Sequence, residues 1–192
     1  FDYSGHGSSE GKIEEQLLSH WVNEAYLLIK KKLKYPLIIV GSSLGGWIAL
    51  ILLKKFKKNI LGFIGIGAAP DFTNDIIKNL SLIQKKKYAD KGYISIKSDY
   101  EQKPYIFTKK FIEDSKKNFV LLKKLEINTK VVLLYGLQDN AVKLETQIKL
   151  LKLLKKKYAK LTISNSSDHR MSSTLDLNLL EQTIKNMIKG TL

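Results

Sequence analysis

The stretch from residue 37 to residue 47 decides the fold, and it runs Leu37-Ile38-Ile39-Val40-Gly41-Ser42-Ser43-Leu44-Gly45-Gly46-Trp47. Its first four residues are apolar and three of them are β-branched, which predicts a short strand buried on both faces. Residues 47–56 are apolar on almost every side, which predicts a buried helix. Between the two, residues 41–45 match G-x-S-x-G, a pattern that puts a serine on a sharp strand-to-helix turn.

Three further apolar runs predict strands after this turn, at residues 60–66, 130–135 and, more weakly, 161–163. Apolar residues at helical spacing predict helices at residues 17–34, 142–158 and 175–188. The chain opens, at Phe1 and Asp2, with what we predict to be the end of another strand. Strands that alternate with helices pair in parallel through right-handed crossovers. We therefore predict an α/β fold with a doubly wound, mostly parallel sheet.

Residues 71–128 differ from the rest of the chain because they are rich in aromatic residues and mostly helical in pattern. We predict that they form a small helical insertion. The core of the fold would then consist of residues 1–70 and 129–192.

Composition excludes several classes of protein. A chain of 192 residues suits one domain, and its longest nearly unbroken apolar stretch, residues 44–53, is too short for the roughly 20 residues of a membrane-spanning helix. There is no cysteine, so a disulfide scaffold, a zinc-thiolate site and a cysteine nucleophile are excluded. We expect a cytoplasmic location, no metal and no cofactor.

The net charge of +15 comes from 33 basic and 18 acidic residues, and Arg170 is the one arginine. Proteins that read nucleic acids usually rely on arginine for bidentate contacts. The lysine runs lie beside apolar residues at helical spacing, which favours a solvated helix face. We therefore do not expect nucleic acid as a partner, although attraction to nucleic acid or to an anionic membrane surface stays open.

A serine on such a turn needs a base, and the base needs a carboxylate that orients it. Of the three histidines, His6 lies in the opening loop and His20 in a predicted helix, whereas His169 lies between the last strand and the last helix. Asp139 follows the strand at 130–135 and is the preferred carboxylate, with Asp168 as its rival. The backbone N–H of Leu44, the residue after the serine, is the expected oxyanion donor.

Four stretches carry a resemblance to a known superfamily: Phe1-Asp2-Tyr3-Ser4-Gly5, Gly7-Ser8-Ser9, residues 41–47 and Ser167-Asp168-His169-Arg170-Met171. In these the sequence resembles the α/β hydrolases, and within them a group of thioesterases and esterases. The resemblance implies Ser43 as nucleophile, His169 as general base and Asp139 as its partner. It also implies that residues 71–128 cap an acyl pocket.

The superfamily fold has earlier strands, which would lie upstream of Phe1, so the resemblance implies that this chain lacks them. The strand at 37–40 would then be an unpaired apolar edge of the sheet. The second donor of the oxyanion hole would also come from the upstream part.

Three functions remain open at this stage. The favoured one is a serine hydrolase that cleaves an acyl ester or thioester, on a small molecule or an acylated protein, through an acyl-enzyme. A peptidase-like or other hydrolase with a different small substrate is the second, since the fold does not determine the substrate. The third is a non-catalytic basic module that binds anionic lipid or nucleic acid.

Overall fold

A computed structural model describes residues 1–32, 34–56, 59–97 and 102–190. Within them the strands are β1 Leu37–Ser42, β2 Ile60–Ile66, β3 Tyr93–Ile96, β4 Tyr105–Thr108, β5 Lys130–Gly136 and β6 Ala159–Ser164. The helices are α1 Leu18–Lys32, α2 Leu44–Lys55, α3 Phe72–Asn79, α4 Leu82–Lys91, α5 Lys109–Lys116, α6 Leu144–Leu153 and α7 Thr174–Lys189, and a 3-10 turn spans Ile13–Glu15.

Four strands form a parallel sheet in the order β1-β2-β5-β6. This confirms the predicted α/β class and all four strands that the apolar runs indicated. In the part of the chain that the structure describes, β1 pairs with β2 alone and is an edge of the sheet, as predicted. The edge is apolar, and Val40 on it is 43% exposed.

The contacts within the chain group it into two compact units. One unit contains the parallel sheet and consists of Tyr26–Pro70 and Val120–Leu192. The other consists of Phe1–Ala25 and Asp71–Phe119. In this grouping the first 25 residues go with residues 71–119, and residues 120–128 go with the sheet, while the division into a core and an insertion stays a prediction.

The structure corrects two expectations about the second unit. The insertion is not purely helical, because β3 and β4 pair as an antiparallel hairpin between α4 and α5. Phe1 and Asp2 do not form the end of a strand. Asp2 instead accepts hydrogen bonds from the loop that follows, from the N–H of Ser8 (3.0 Å) and the hydroxyl of Ser9 (2.9 Å).

The predicted helix at 142–158 is shorter than expected, since α6 ends at Leu153. Two backbone hydrogen bonds hold the residues after Leu153 in a non-helical conformation. The carbonyl of Leu153 accepts from the N–H of Leu125 (2.9 Å), and the carbonyl of Tyr158 accepts from the N–H of Val131 at 2.7 Å. A turn, in which the N–H of Tyr158 donates to the carbonyl of Lys155 (2.9 Å), then leads into β6.

Helix α7 packs on one face of the parallel sheet through an apolar cluster. The cluster comprises Ile64, Ile66, Val132, Leu134, Met171 and Met187. Met187 lies so close to β2 that a Cβ added at Gly62 would be 2.0 Å from its sulfur. Glycine at position 62 is therefore what lets the helix approach the strand.

Asp176 fastens the start of α7 to the loop before it. Its carboxylate accepts from the N–H (3.1 Å) and the hydroxyl (2.7 Å) of Ser173 and from the hydroxyl of Ser167. Burial opposes the charged form of this carboxyl, but the hydrogen bonds from Ser167 and Ser173 outweigh it and lower the pKa of Asp176 below its ordinary value. The carboxylate is therefore a stabilising buried anion.

This shift predicts that stability depends on pH through Asp176. Because the folded-state pKa lies below the ordinary value of 3.8, the contribution is complete above that value and is lost as pH falls through the folded pKa. We expect Asp176→Asn to lower the free energy of unfolding by about 1–3 kcal/mol at pH 7, and the difference to shrink in strong acid. Urea unfolding at several pH values measures it, and a difference that stays constant down to the most acidic pH would contradict the assignment.

Candidate active site

Ser43 occupies a strained turn between β1 and α2. Its backbone has φ 50° and ψ −119°, a combination that is costly for a residue with a side chain. Two of its backbone hydrogen bonds hold it to the end of β2: its N–H donates to the carbonyl of Ile66 (2.9 Å), and its carbonyl accepts from the N–H of Ala69 (3.0 Å). The turn is therefore fixed by the end of the neighbouring strand β2.

The glycines around Ser43 have unequal roles. A Cβ added at Gly41 would lie 2.5 Å from the carbonyl oxygen of Gly45, and one at Gly46 would lie 2.6 Å from the Cβ of Ala68. At Gly45, by contrast, an added Cβ meets nothing within 4 Å. Gly41 and Gly46 therefore keep side chains out of a tight crossing, whereas Gly45, although it completes the G-x-S-x-G pattern, does not.

Two alanine substitutions test this difference. Gly41→Ala should lower the free energy of unfolding by about 1–3 kcal/mol, because the new methyl group meets backbone atoms that cannot move aside cheaply. Gly45→Ala should leave it unchanged or raise it by up to about 1 kcal/mol, since alanine favours a helix over glycine. Equal effects of the two changes on urea unfolding would disprove the assigned contacts.

Asp139 and His169 are in direct contact. Nδ1 of His169 lies 2.7 Å from Oδ2 of Asp139. The Asp139 side chain is fully buried, and the His169 side chain is 11% exposed. The second oxygen of the carboxylate accepts from the N–H groups of Ala141 and Val142, each at 2.8 Å. Both carboxylate oxygens are thus engaged, which fixes the direction in which Asp139 holds the imidazole.

The end of strand β5 supports the loop that carries Asp139. The hydroxyl of Tyr135 donates to the carbonyl of Val142 (2.8 Å), and the N–H of Asp139 donates to the carbonyl of Gly136 (3.1 Å). Burial raises the pKa of the Tyr135 phenol, and the negative charge of Asp139 raises it further. The phenol therefore keeps the proton that it donates.

Glycine at position 136 lets the loop of His169 pass close to β5. A Cβ added there would lie 2.2 Å from the carbonyl oxygen of Ser167 and 2.4 Å from that of Asp168. The carbonyl of Ser167 also accepts from the N–H of Gln138 at 3.0 Å. The two loops that carry Asp139 and His169 are consequently joined at their bases.

Asp168, the rival carboxylate, serves its own loop. Its Oδ1 accepts from the N–H groups of Arg170 (2.9 Å) and Met171 (3.1 Å), and its side chain is exposed. The remaining histidines have other surroundings. His6 packs edge-on against Trp21 with ring centroids 5.0 Å apart, and Nδ1 of His20 lies 3.3 Å from the side-chain oxygen of Gln16.

Gly67 links the serine turn to the histidine, and sequence reasoning missed it. A Cβ added at Gly67 would lie 3.0 Å from Nδ1 of His169 and 3.3 Å from Oδ2 of Asp139. Gly67 lies between Ile66 and Ala69, the two residues that hold the backbone of Ser43. The serine turn and the Asp139–His169 pair therefore meet at one strand end. The only signal in the sequence was a glycine directly after an apolar run.

Gln147 on α6 is a second residue that the sequence did not reveal. Its amide nitrogen donates to the carbonyl of Ala68 at 2.6 Å, and the side chain is fully buried. The contact holds the turn after β2 that supplies the N–H of Ala69 to Ser43. The sign of this role in the sequence was a glutamine at a position on the buried side of an amphipathic helix.

Leu44, the expected oxyanion donor, is the first residue of α2. The N–H groups of a helix's first turn have no acceptor within the helix. They also lie at its positive end, where negative charge is favoured. The position suits a donor to a developing oxyanion.

Comparison with known proteins agrees with this geometry. A family model described as alpha/beta hydrolase fold matches residues 1–95. A crystal structure of a protein from Agrobacterium vitis superposes with a TM-score of 0.92 at 34% identity, over 97% of this chain and 74% of that one. The chain belongs to the α/β-hydrolase family.

Among the relatives of this α/β hydrolase are mitochondrial proteins named palmitoyl-protein thioesterase ABHD10. The human protein is 32% identical over 189 residues, which are 98% of this chain and 62% of the human protein. The mouse protein, as a solved structure, superposes with a TM-score of 0.90 at 26% identity, over all of this chain and 77% of that chain. The chain thus spans about 62% of the length of the curated relatives it matches.

Proposed function

We propose that the protein is a serine hydrolase that cleaves acyl esters or thioesters through an acyl-enzyme, with Ser43 as nucleophile, His169 as general base and Asp139 as its partner. The observation that carries the proposal is the 2.7 Å contact between His169 and a fully buried Asp139, beside the strained turn of Ser43. An exposed histidine without a catalytic role would need neither the buried carboxylate nor the glycine at position 67.

The contact suggests how the imidazole works. With Nδ1–H donating to Asp139, the other ring nitrogen of His169 is left as the base. It takes the proton of the Ser43 hydroxyl as the oxygen attacks the carbonyl carbon, and the carbonyl π bond shifts its electrons to oxygen. The N–H of Leu44 would donate to that oxyanion.

Two further steps complete the reaction. Collapse of the tetrahedral intermediate breaks the bond to the leaving alcohol or thiol, which receives the proton from His169, and Ser43 keeps the acyl group as an ester. A water molecule next gives a proton to His169 and attacks that ester. The carboxylic acid leaves, and the proton returns to the oxygen of Ser43.

The choice of an acyl substrate comes from two supports. The ABHD10 relatives are named as thioesterases of palmitoylated proteins. In the unit of Phe1–Ala25 and Asp71–Phe119, a chain of aromatic contacts joins Trp21, Phe111, Phe107 and Phe72, with ring centroids 5.5–5.8 Å apart. The role of residues 71–128 as an acyl cap stays a prediction.

The predicted location stays a prediction as well. Each helix among the described residues is too short or too polar to span a bilayer. The ABHD10 relatives carry the word mitochondrial in their names, so the expected cytoplasmic location competes with a mitochondrial one.

Covalent labelling tests the nucleophile. A fluorophosphonate probe should label the full-length protein, and Ser43→Ala should abolish the labelling because the reacting oxygen is gone. Ser42→Ala is the matched control, since Ser42 is the exposed neighbour of Ser43 in the same motif. Labelling of the Ser43→Ala protein at the normal rate would overturn the proposal.

A pair of Asp→Asn changes tests the partner of the histidine. Asp139→Asn should lower kcat/KM for an activated ester by about 10⁴, because the amide no longer holds the imidazole in the productive tautomer. Asp168→Asn keeps an acceptor for its loop and should leave kcat/KM within a few-fold. Steady-state kinetics on both proteins decides, and a larger loss at position 168 would assign the role to Asp168 instead.

A further inference from the structure

Helix α4 exposes two large apolar side chains at its start. Leu82 is 84% exposed and Ile83 is 70% exposed, which places both among the most exposed large apolar residues in the described part of the chain. None of the ten residues of α4 is buried. We call Leu82 and Ile83, together with Lys85, Lys86 and Lys87, the α4 tip.

The helix does not need these apolar side chains in order to form. Ser81 and Gln84 make a capping box at its start, with hydrogen bonds of 2.9 and 3.2 Å. Gly92 ends it in the left-handed conformation, with its N–H donating to Tyr88 at 3.0 Å. Both ends are thus satisfied by local contacts, and neither contact involves Leu82 or Ile83.

The lysines of the α4 tip surround the apolar pair. Side chains three and four residues apart share a helix face. Leu82 is therefore flanked by Lys85 and Lys86, and Ile83 by Lys86 and Lys87. Tyr88 is half-buried and lies on a different face of α4 from Leu82, Ile83 and Lys86, whereas Lys85 lies one turn before Tyr88. Asp90 is the one acidic residue of α4.

We propose that the α4 tip binds the surface of an anionic lipid bilayer. Leu82 and Ile83 would enter the boundary between headgroups and acyl chains, while the three ammonium groups contact lipid phosphates and carboxylates. Apolar side chains ringed by lysine suit a surface that is negative outside and apolar beneath. A nucleic acid would use the lysines but has no place for exposed Leu and Ile. The net charge of +15 strengthens the attraction.

Vesicle co-sedimentation of the full-length protein tests the proposal. Phosphatidylcholine vesicles with about 30% phosphatidylserine should bind the protein, and pure phosphatidylcholine vesicles should bind it much more weakly. Replacing Lys85, Lys86 and Lys87 by Gln should weaken binding about 100-fold. Changing Leu82 and Ile83 to Ser should weaken it about tenfold or more with no change in charge. Far-UV circular dichroism confirms that each variant is folded.

A charge-matched variant separates this site from general attraction. Lys30, Lys31 and Lys32 are also exposed and end helix α1, so their replacement by Gln removes the same charge elsewhere. That variant should keep most of the affinity for anionic vesicles. Equal loss in the two lysine variants, or unchanged binding by the Leu82→Ser/Ile83→Ser protein, would overturn the proposal.

Other occupants give distinct results. A dimer in analytical ultracentrifugation that Leu82→Ser/Ile83→Ser dissociates, without vesicle binding, would assign the tip to a second copy and overturn the lipid site. Tighter binding to single-stranded RNA than to anionic vesicles would do the same. The test is independent of the proposed hydrolase, because Ser43→Ala should bind vesicles as the native protein does.

Discussion

Two backbone hydrogen bonds hold Ser43 in a conformation that a side-chain-bearing residue avoids, and the other parts of the site are arranged around them. They come from Ile66 and from Ala69, on either side of Gly67 at the end of β2. Such strain persists only where the surroundings over-determine it. The side chain of Gln147 secures the same strand end through Ala68. Contacts with residues far from the turn in sequence thus offset the conformational free energy that the turn costs.

The Asp139–His169 pair depends on close backbone approach as much as on charge. Gly67 leaves room beside the pair, and Gly136 leaves room for the backbone of the histidine loop. Hydrogen bonds to Ala141 and Val142 then fix the carboxylate. The pair is thus positioned by the backbone of the loops that carry it.

The parallel sheet was predictable because apolar runs between helical segments specify buried strands directly. Asp139 and His169 were predictable as candidates because each lies just past a strand, and parallel strands end at one edge. The hairpin of β3 and β4 was not, since strands of four residues each are too short to show a clear alternation of apolar and polar residues. The sequence could not predict the surroundings of Gly45, Gly67 and Gln147. These depend on distances between backbone segments that are far apart in sequence, and spacing along the chain does not give those distances.

The contact between α7 and β2 depends on the chemical state of one sulfur atom, that of Met187. The thioether of Met187 fills the space above Gly62 within an apolar cluster. Oxidation to the sulfoxide would add a polar oxygen to this apolar cluster. Its 3% exposure shields the sulfur while the protein is folded. Damage by peroxide would therefore concentrate on molecules that are newly made or transiently opened.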